Sequence, residues 1–288
     1  FAIFCSINIG MSWDEPQNHI NGAIRANYLK SFTFGKFEFS GGWAQFHPGL
    51  YDTFNFVIAD LLFNIFPGKL IGIKHLINLT FSFSALIGLF LLSKKIFNKQ
   101  IAYLAIFLCL ANPFFFGHMS MNPKDIISCF ALIWFAYAAY MYCINFEVKR
   151  SRFLILASLS MGLGVGTRLP FLIVPIPIMI SALIFIIKTY SSKIKKYDIF
   201  KKISFDFFIF FSITFLLMVA AWPYVHSMPG ILLKAFTSYA LYPHGPVLEI
   251  INGNYYETAN TPRTYFFSFF IFRFPIFILI LLFSLIIL

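Results

Sequence analysis

The sequence predicts an all-α, polytopic transmembrane helical bundle, on three observations. Of its 288 residues, 59% are hydrophobic and only 11% charged, less than half the charged share of a soluble domain. Mean hydropathy is +0.80, and long apolar runs recur along the whole chain, as membrane-spanning helices require. The runs are continuous rather than alternating, which suits helices that satisfy their own backbone in lipid and not a β-barrel. An ordinary soluble enzyme and a disordered chain are excluded.

Polar breaks divide the runs into eight expected spans. One ends near Met11. The next runs from about Leu70 to Ser93. Others cover Ile101 to Phe116, Ile126 to Ile144, Phe153 to Thr167, Pro170 to Ile187, Phe205 to Trp222 and Tyr265 to Leu288. The chain starts without Met inside one apolar run and ends in another, so a fragment of a longer protein is expected. No basic stretch precedes the first run, which argues against a cleaved signal peptide.

The net charge of +11 has a topological explanation. Twelve of the 22 basic residues fall in three short loops, at Lys94, Lys95 and Lys99, at Lys149, Arg150 and Arg152, and from Lys188 to Lys202. By the positive-inside rule these loops are cytoplasmic. The long segments 12–69 and 223–264 then face outward, as does the turn from His118 to Lys124. Eight of the 11 carboxylates lie outside or at the outer boundary, and only Glu147, Asp198 and Asp206 fall on the cytoplasmic side. Acid–base chemistry is therefore expected on the outer face. The four cysteines lie in apolar stretches with no C-x-x-C, so neither a disulfide framework nor a thiolate metal site is indicated. No nucleic-acid module is present, and the forty-one Phe residues need no functional reading.

The first outer loop holds two expected amphipathic helices at the membrane interface. One spans Gln17 to Ser31, with Ile20, Ala23, Ile24 and Tyr28 on one face. The other spans Tyr51 to Phe66, with Phe54, Ile58, Leu61 and Ile65 on one side. Breaks at Gly41-Gly42-Trp43 and His47-Pro48-Gly49 separate them.

Four polar constellations carry candidate chemistry. Trp13-Asp14-Glu15-Pro16 directly follows the first span. It reads as a helix start with a capping box, and equally as a general base at Asp14, with Asp14, Asn18, Asn21 and Arg25 on one helical face. The two readings are compatible. Next come Asn112-Pro113, Gly117-His118 and Asn122-Pro123-Lys124-Asp125. A turn with Asp125 as cap explains much of this segment. Three ionisable groups in one short turn also suit a lipid-phosphate or sugar contact.

The run Gly162-x-Gly164-x-Gly166-Thr167-Arg168 lacks the preceding strand of a phosphate loop. Close helix packing explains its glycines better, while Arg168 must face a cleft or headgroups and suits bidentate phosphate binding. The last outer loop carries Trp222-Pro223-Tyr224, Tyr242-Pro243-His244-Gly245, Glu249, Asn252-Gly253 and Thr261-Pro262-Arg263-Thr264-Tyr265. Its aromatics form an interfacial belt or a sugar- or lipid-binding wall, and Arg263 anchors the span or binds phosphate. The six histidines are scattered without metal spacing, and no H-E-x-x-H, G-x-S-x-G or D-x-D in the first outer loop is present.

With these residues in place, the chain resembles the GT-C class of integral-membrane glycosyltransferases, closest to the protein O-mannosyltransferase and lipid A aminoarabinose transferase group. Asp14-Glu15 after the first span, the Asn122-to-Asp125 turn preceded by His118, and Trp222-Pro223 opening a loop that closes on Thr-Pro-Arg-x-Tyr carry the resemblance. It implies an inverting enzyme without cofactor or essential metal. The enzyme would take a sugar from a polyprenyl-phosphate donor and pass it to a hydroxyl of a lipid, glycan or protein acceptor, at the outer face of the plasma membrane. Asp14 takes the family's general-base role. Glu15 orients the acceptor or the loop, and His118, Lys124, Asp125, Arg168 and Arg263 bind substrate, with the cationic ones steadying the leaving phosphate. The competing class is a transporter or lipid flippase, kept open by Pro170, Pro175 and Pro177 within one span and by Asp206 and Arg273 near span ends. A non-catalytic assembly subunit is the third reading.

Overall fold

A computed structural model gives the positions of residues 1–31, 44–240, 248–257 and 260–287. They form two units, Phe1–Phe236 and Thr237–Leu288. Glu38, Gly41-Gly42-Trp43 and Tyr242-Pro243-His244-Gly245 lie outside the described residues.

The first unit opens with α1 (Ala2–Asn8) and α2 (Glu15–Ser31), a 3-10 turn at Ala44–Phe46 and α3 (Leu50–Phe63). Then come α4 (Leu70–Ile96), α5 (Lys99–Ala111), α6 (Pro113–Met121), α7 (Pro123–Ile144) and α8 (Arg150–Thr167). A second 3-10 turn, Leu169–Leu172, leads to α9 (Ile176–Tyr190), α10 (Lys196–Val219) and the short α11 (Pro223–Ser227). Helix α12 (Ile231–Ala240) crosses the boundary between the units.

Four stretches are long and apolar enough to cross a membrane: Leu70–Ile96, Pro123–Ile144, Leu169–Tyr190 and Lys196–Val219. The number rises to six if each of two bent helix pairs is one span. Eight were expected, and the differences have local causes. The first apolar run yields a helix of only seven residues. Helix α8 is diluted by Arg150, Arg152 and several Ser and Gly, and is not among the four. The Ile101–Phe116 run is broken between α5 and α6 by a bend of 73°. There Asn112 caps the new helix by accepting from Phe114 N–H, and Pro113 occupies its first turn, where a missing N–H costs nothing. The same residue pairing starts α7: Asn122 Oδ1 accepts from Asp125 N–H ahead of Pro123.

Helix α7 is the centre of the unit and packs on α4 and α8, while α10 packs on α8 and meets α7 through Phe135–Phe210. Small residues allow this. Ala131 and Ala138 of α7 are fully buried, and a Cβ on Gly162 of α8 would stand 2.6 Å from Leu217 of α10. The glycines of α8 are thus packing residues, as their sequence suggests. Outward surfaces of α5, α9 and α10 carry exposed Phe107, Ile184, Phe208 and Phe211. Lipid is the natural solvent for such faces, which accounts for much of the phenylalanine content.

The expected interfacial helices need a correction in detail. In α2 the buried residues are Glu15, Asn18, Asn21, Gly22, Arg25, Ala26 and Tyr28. The polar face points into the protein while Ile20 faces out, and Tyr28 turns inward, away from the face it was expected to share with Ile20. Helix α3 is arranged alike: Tyr51, Thr53 and Asn55 are buried, Phe54, Leu61 and Ile65 exposed.

The second unit departs from the all-α expectation. Strands β1 (Leu248–Ile251) and β2 (Asn254–Glu257) pair antiparallel, Leu248 opposite Glu257. Asn252 and Gly253, at φ 52° and 82°, make the two-residue turn, as an Asn-Gly pair at left-handed φ favours. Helices α13 (Tyr265–Arg273) and α14 (Ile276–Ile287) follow, separated at Phe274-Pro275.

Candidate active site

The polar side chains that the sequence scattered over five segments meet where α2, α3, α4, α6 and α7 converge. Glu15 begins α2 with 6% exposure. Its Oε2 accepts from Ser12 N–H at 2.6 Å, and its Oε1 lies 2.8 Å from His75 Nε2. His75 Nδ1 in turn lies 2.9 Å from Ser6 O. Both ring nitrogens face oxygen acceptors, and two donors are what an imidazolium supplies. Burial on its own would raise the Glu15 carboxyl. The hydrogen bonds from His75 and Ser12 outweigh it and hold that carboxyl below its ordinary value.

Asp52, in the first turn of α3, is a second carboxylate here, 12% exposed. Its Oδ2 lies 3.8 Å from Arg25 Nη1. Burial raises its pKa, against the pull of Arg25, Lys124 and Lys74, while Asp14 adds to the rise. Lys74 lines the same cleft as Asp52 and Glu15. Arg25 is 1% exposed and donates through Nη2 to the carbonyls of Ala44 at 3.1 Å and His47 at 3.2 Å. Its guanidinium lies so close over Gly49 that no Cβ fits there, and Gly49 also has φ 73°. Gly22 serves α2 likewise: a Cβ would stand 2.5 Å from Asp52 O.

Beneath Asp52 the buried amides are bonded in a chain. Tyr51 O–H donates to Asn78 Oδ1 at 2.6 Å, Asn55 Nδ2 to the same oxygen at 3.2 Å, and Asn78 Nδ2 to Ser120 O at 2.6 Å. Ser82 Oγ donates to Met119 O at 2.6 Å, so α4 holds the end of α6 at two points. Ser12 Oγ–H reaches Met121 O at 3.2 Å and ties the start of α2 to the same turn. The small cleft above is lined by Glu15, Asn18, Asp52, Lys74, Asn78 and Pro123, among others. Lys74 Nζ donates to His19 Nδ1 at 3.3 Å. Burial and then the Lys74 charge hold His19 below its ordinary pKa.

Beside it lies a second cluster. Arg168 Nη1 is 2.9 Å from Asp125 Oδ1, His118 Nδ1 is 3.5 Å from Asp125 Oδ2, and Asn122 Nδ2 donates to that oxygen at 2.8 Å. Of the residues singled out from sequence, His118, Asp125 and Arg168 are thus brought together and half-exposed. Lys124 is half-buried at the start of α7, and Asp14 is exposed at the rim where α2 begins. Glu15 is buried beneath. Arg263 is exposed in the second unit, between the hairpin and α13. Sequence reasoning passed over Lys74, His75 and Asp52. A signal was present: Lys74 and His75 are adjacent ionisable residues inside an apolar span, which is costly without a reason. Among the described residues, no group of three or more His, Cys, Asp or Glu is arranged to hold a metal ion.

The far wall is fastened by the Trp222-Pro223 corner. Trp222 is fully buried and its Nε1–H donates to Gln45 O at 2.8 Å. His226 Nδ1 lies 3.0 Å from Tyr28 Oη, fixing the last turns of α2.

A bundle of apolar helices with a buried, charged cleft at one end defines a multi-pass membrane protein built for chemistry on a polar group. Residues 54–225 match the family model described as dolichyl-phosphate-mannose-protein mannosyltransferase. This is more than half of the chain, which belongs to that family and is a membrane glycosyltransferase of the mannosyltransferase type. The matched region includes Asp52's helix from Phe54 onward, the His118–Asp125 turn, Arg168 and Trp222-Pro223, and leaves Asp14-Glu15 outside. No curated protein and no solved structure matches the chain.

Proposed function

We propose that the protein transfers a sugar from a polyprenyl-phosphate donor to an acceptor hydroxyl with inversion, at the outer face of the plasma membrane. Asp14 is the general base. The observation that carries this reading is the cleft lined by Glu15, Asp52 and Lys74, with Asp14 exposed next to Glu15 where the second helix begins. A solvent-accessible carboxylate takes the acceptor proton as the acceptor oxygen attacks the anomeric carbon. The bond from that carbon to the phosphate oxygen breaks, and the leaving phosphate keeps its electron pair beside cationic groups. Lys124 and Arg168 supply that charge, with Arg263 as a further contact. Glu15, held by His75, positions the loop that carries Asp14. His118 and Asp125 hold Arg168 at the rim.

The test is Asp14→Asn in membranes supplied with polyprenyl-phosphate sugar. Transfer falls by about 10²–10⁴-fold, the usual contribution of a general base, while the protein inserts and unfolds as before. Unchanged transfer overturns the base assignment. Uptake or flipping of lipid by the reconstituted protein, with no transfer at all, overturns the enzymatic reading.

A further inference from the structure

At the opposite end of the first unit, α9 stands off from α10 and leaves a crevice over α7 and α8. Its cavity volume is about 270 Å3. Its walls are almost wholly apolar, with Phe135, Leu154, Met179, Leu183, Ile186 and Phe210 among them. Polarity enters at one end only. There Tyr142 O–H donates to Asp206 Oδ2 at 2.7 Å and Arg150 Nε–H donates to the same oxygen at 2.6 Å. Arg150 belongs at the same time to an adjoining open pocket with Lys201, Lys202 and Asp198. The two spaces meet at the Arg150–Asp206 pair. Together they make an apolar slot with a cationic foot, in the region where the loops carry most of the basic residues.

We propose that this slot binds an anionic glycerophospholipid, one acyl chain in the crevice and the phosphodiester on Arg150, Lys201 and Lys202. Charge complementarity selects this occupant. Three cations face the foot against Asp198 and the already bonded Asp206. The Nε of Arg150 is used on Asp206, which leaves its two terminal nitrogens as the planar fork that suits a phosphodiester. Basic pockets between spanning helices bind anionic headgroups in this way. An acyl chain is the ligand part that fits a crevice of such lining, between helices whose outer faces carry exposed Phe208, Phe211 and Ile184. The site is separate from the cleft at Asp14 and stands whether or not the proposed transfer reaction is correct.

The test is native mass spectrometry of the full chain released from bilayers of phosphatidylcholine mixed with phosphatidylglycerol. The wild-type protein retains phosphatidylglycerol in preference. The Lys201→Gln/Lys202→Gln variant loses about 25-fold of that preference, at roughly one kcal/mol per basic residue, and keeps phosphatidylcholine unchanged. Asp198→Asn, on an exposed position, raises the preference and guards against a folding artefact. Ala182→Phe fills the slot and lowers retention of both lipids. A preference that survives the double lysine variant, or equal retention of the two lipids by the wild type, overturns the proposal. So does displacement of the lipid by millimolar inorganic phosphate that persists in Ala182→Phe, because the foot is then a free-anion site.

Discussion

His75 Nε2 and Glu15 Oε1 are 2.8 Å apart at the point where the fourth helix meets the first turn of the second. The pair joins a side chain inside a spanning helix to the residue next to Asp14, so the position of the exposed carboxylate is set from within the bundle. Replacing Glu15 by Ala leaves His75 buried without its partner and costs about 3 kcal/mol. Glu15→Gln keeps one hydrogen bond and costs less. Thermal unfolding in detergent measures both.

The same pair gives a pH dependence. The native Glu15 carboxyl lies below its ordinary value of 4.5, so the stability it contributes is fully present above that value. It is lost as pH falls through the lowered native pKa. Unfolding followed below pH 4.5 is steeper in the wild type than in Glu15→Gln, which has no carboxyl to titrate at this position.

Gly22 tests the contact of α2 with α3. With a Cβ placed 2.5 Å from Asp52 O, Gly22→Val forces the helices apart and costs about 2 kcal/mol through overpacking. Transfer falls further than stability accounts for, because Asp52 and Arg25 move apart with the helices. Activity measured at temperatures where the variant remains folded separates the two effects.

Arg168 and Asp125 behave in the opposite way. Their side chains are 44% and 43% exposed, and an ion pair so exposed is worth under about 1 kcal/mol. Arg168→Gln therefore leaves the unfolding temperature nearly unchanged while transfer drops by at least about tenfold, in line with loss of one charged contact to phosphate. An equal loss of stability and activity would make the residue structural.

Trp222→Phe removes the indole N–H that holds Gln45 O at 2.8 Å. The lost hydrogen bond and the smaller ring in a fully buried site cost about 1–2 kcal/mol. For a chain of this size that lowers the unfolding temperature by a few degrees.

Much of this was legible in the residues. Apolar runs located the four long spans because a helix in lipid must be apolar along its length. A helix start after the Asn122 turn was legible because capping is local, but the cap is Asn122, which accepts from Asp125 N–H, and not Asp125 as expected. Of the face expected from helical periodicity, Asn18, Asn21 and Arg25 are buried, while Asp14, just ahead of the helix, is exposed.

Other features needed the tertiary structure. Which side of α2 and α3 is buried could not follow from polarity, since in lipid polar residues turn to the protein interior. The bend between α5 and α6 lies within a run apolar enough to read as one span. The pairing of Glu15 with His75 and of Asp125 with Arg168 joins residues 60 and 43 positions apart. The sequence by itself determined the class of solvent, the helix starts and the inventory of carboxylates, because these depend on composition and neighbours. Only the tertiary structure decided that Asp14 stays exposed while Glu15 is buried. Adjacent residues on a helix point about 100° apart, and what each one meets depends on which distant helix packs there.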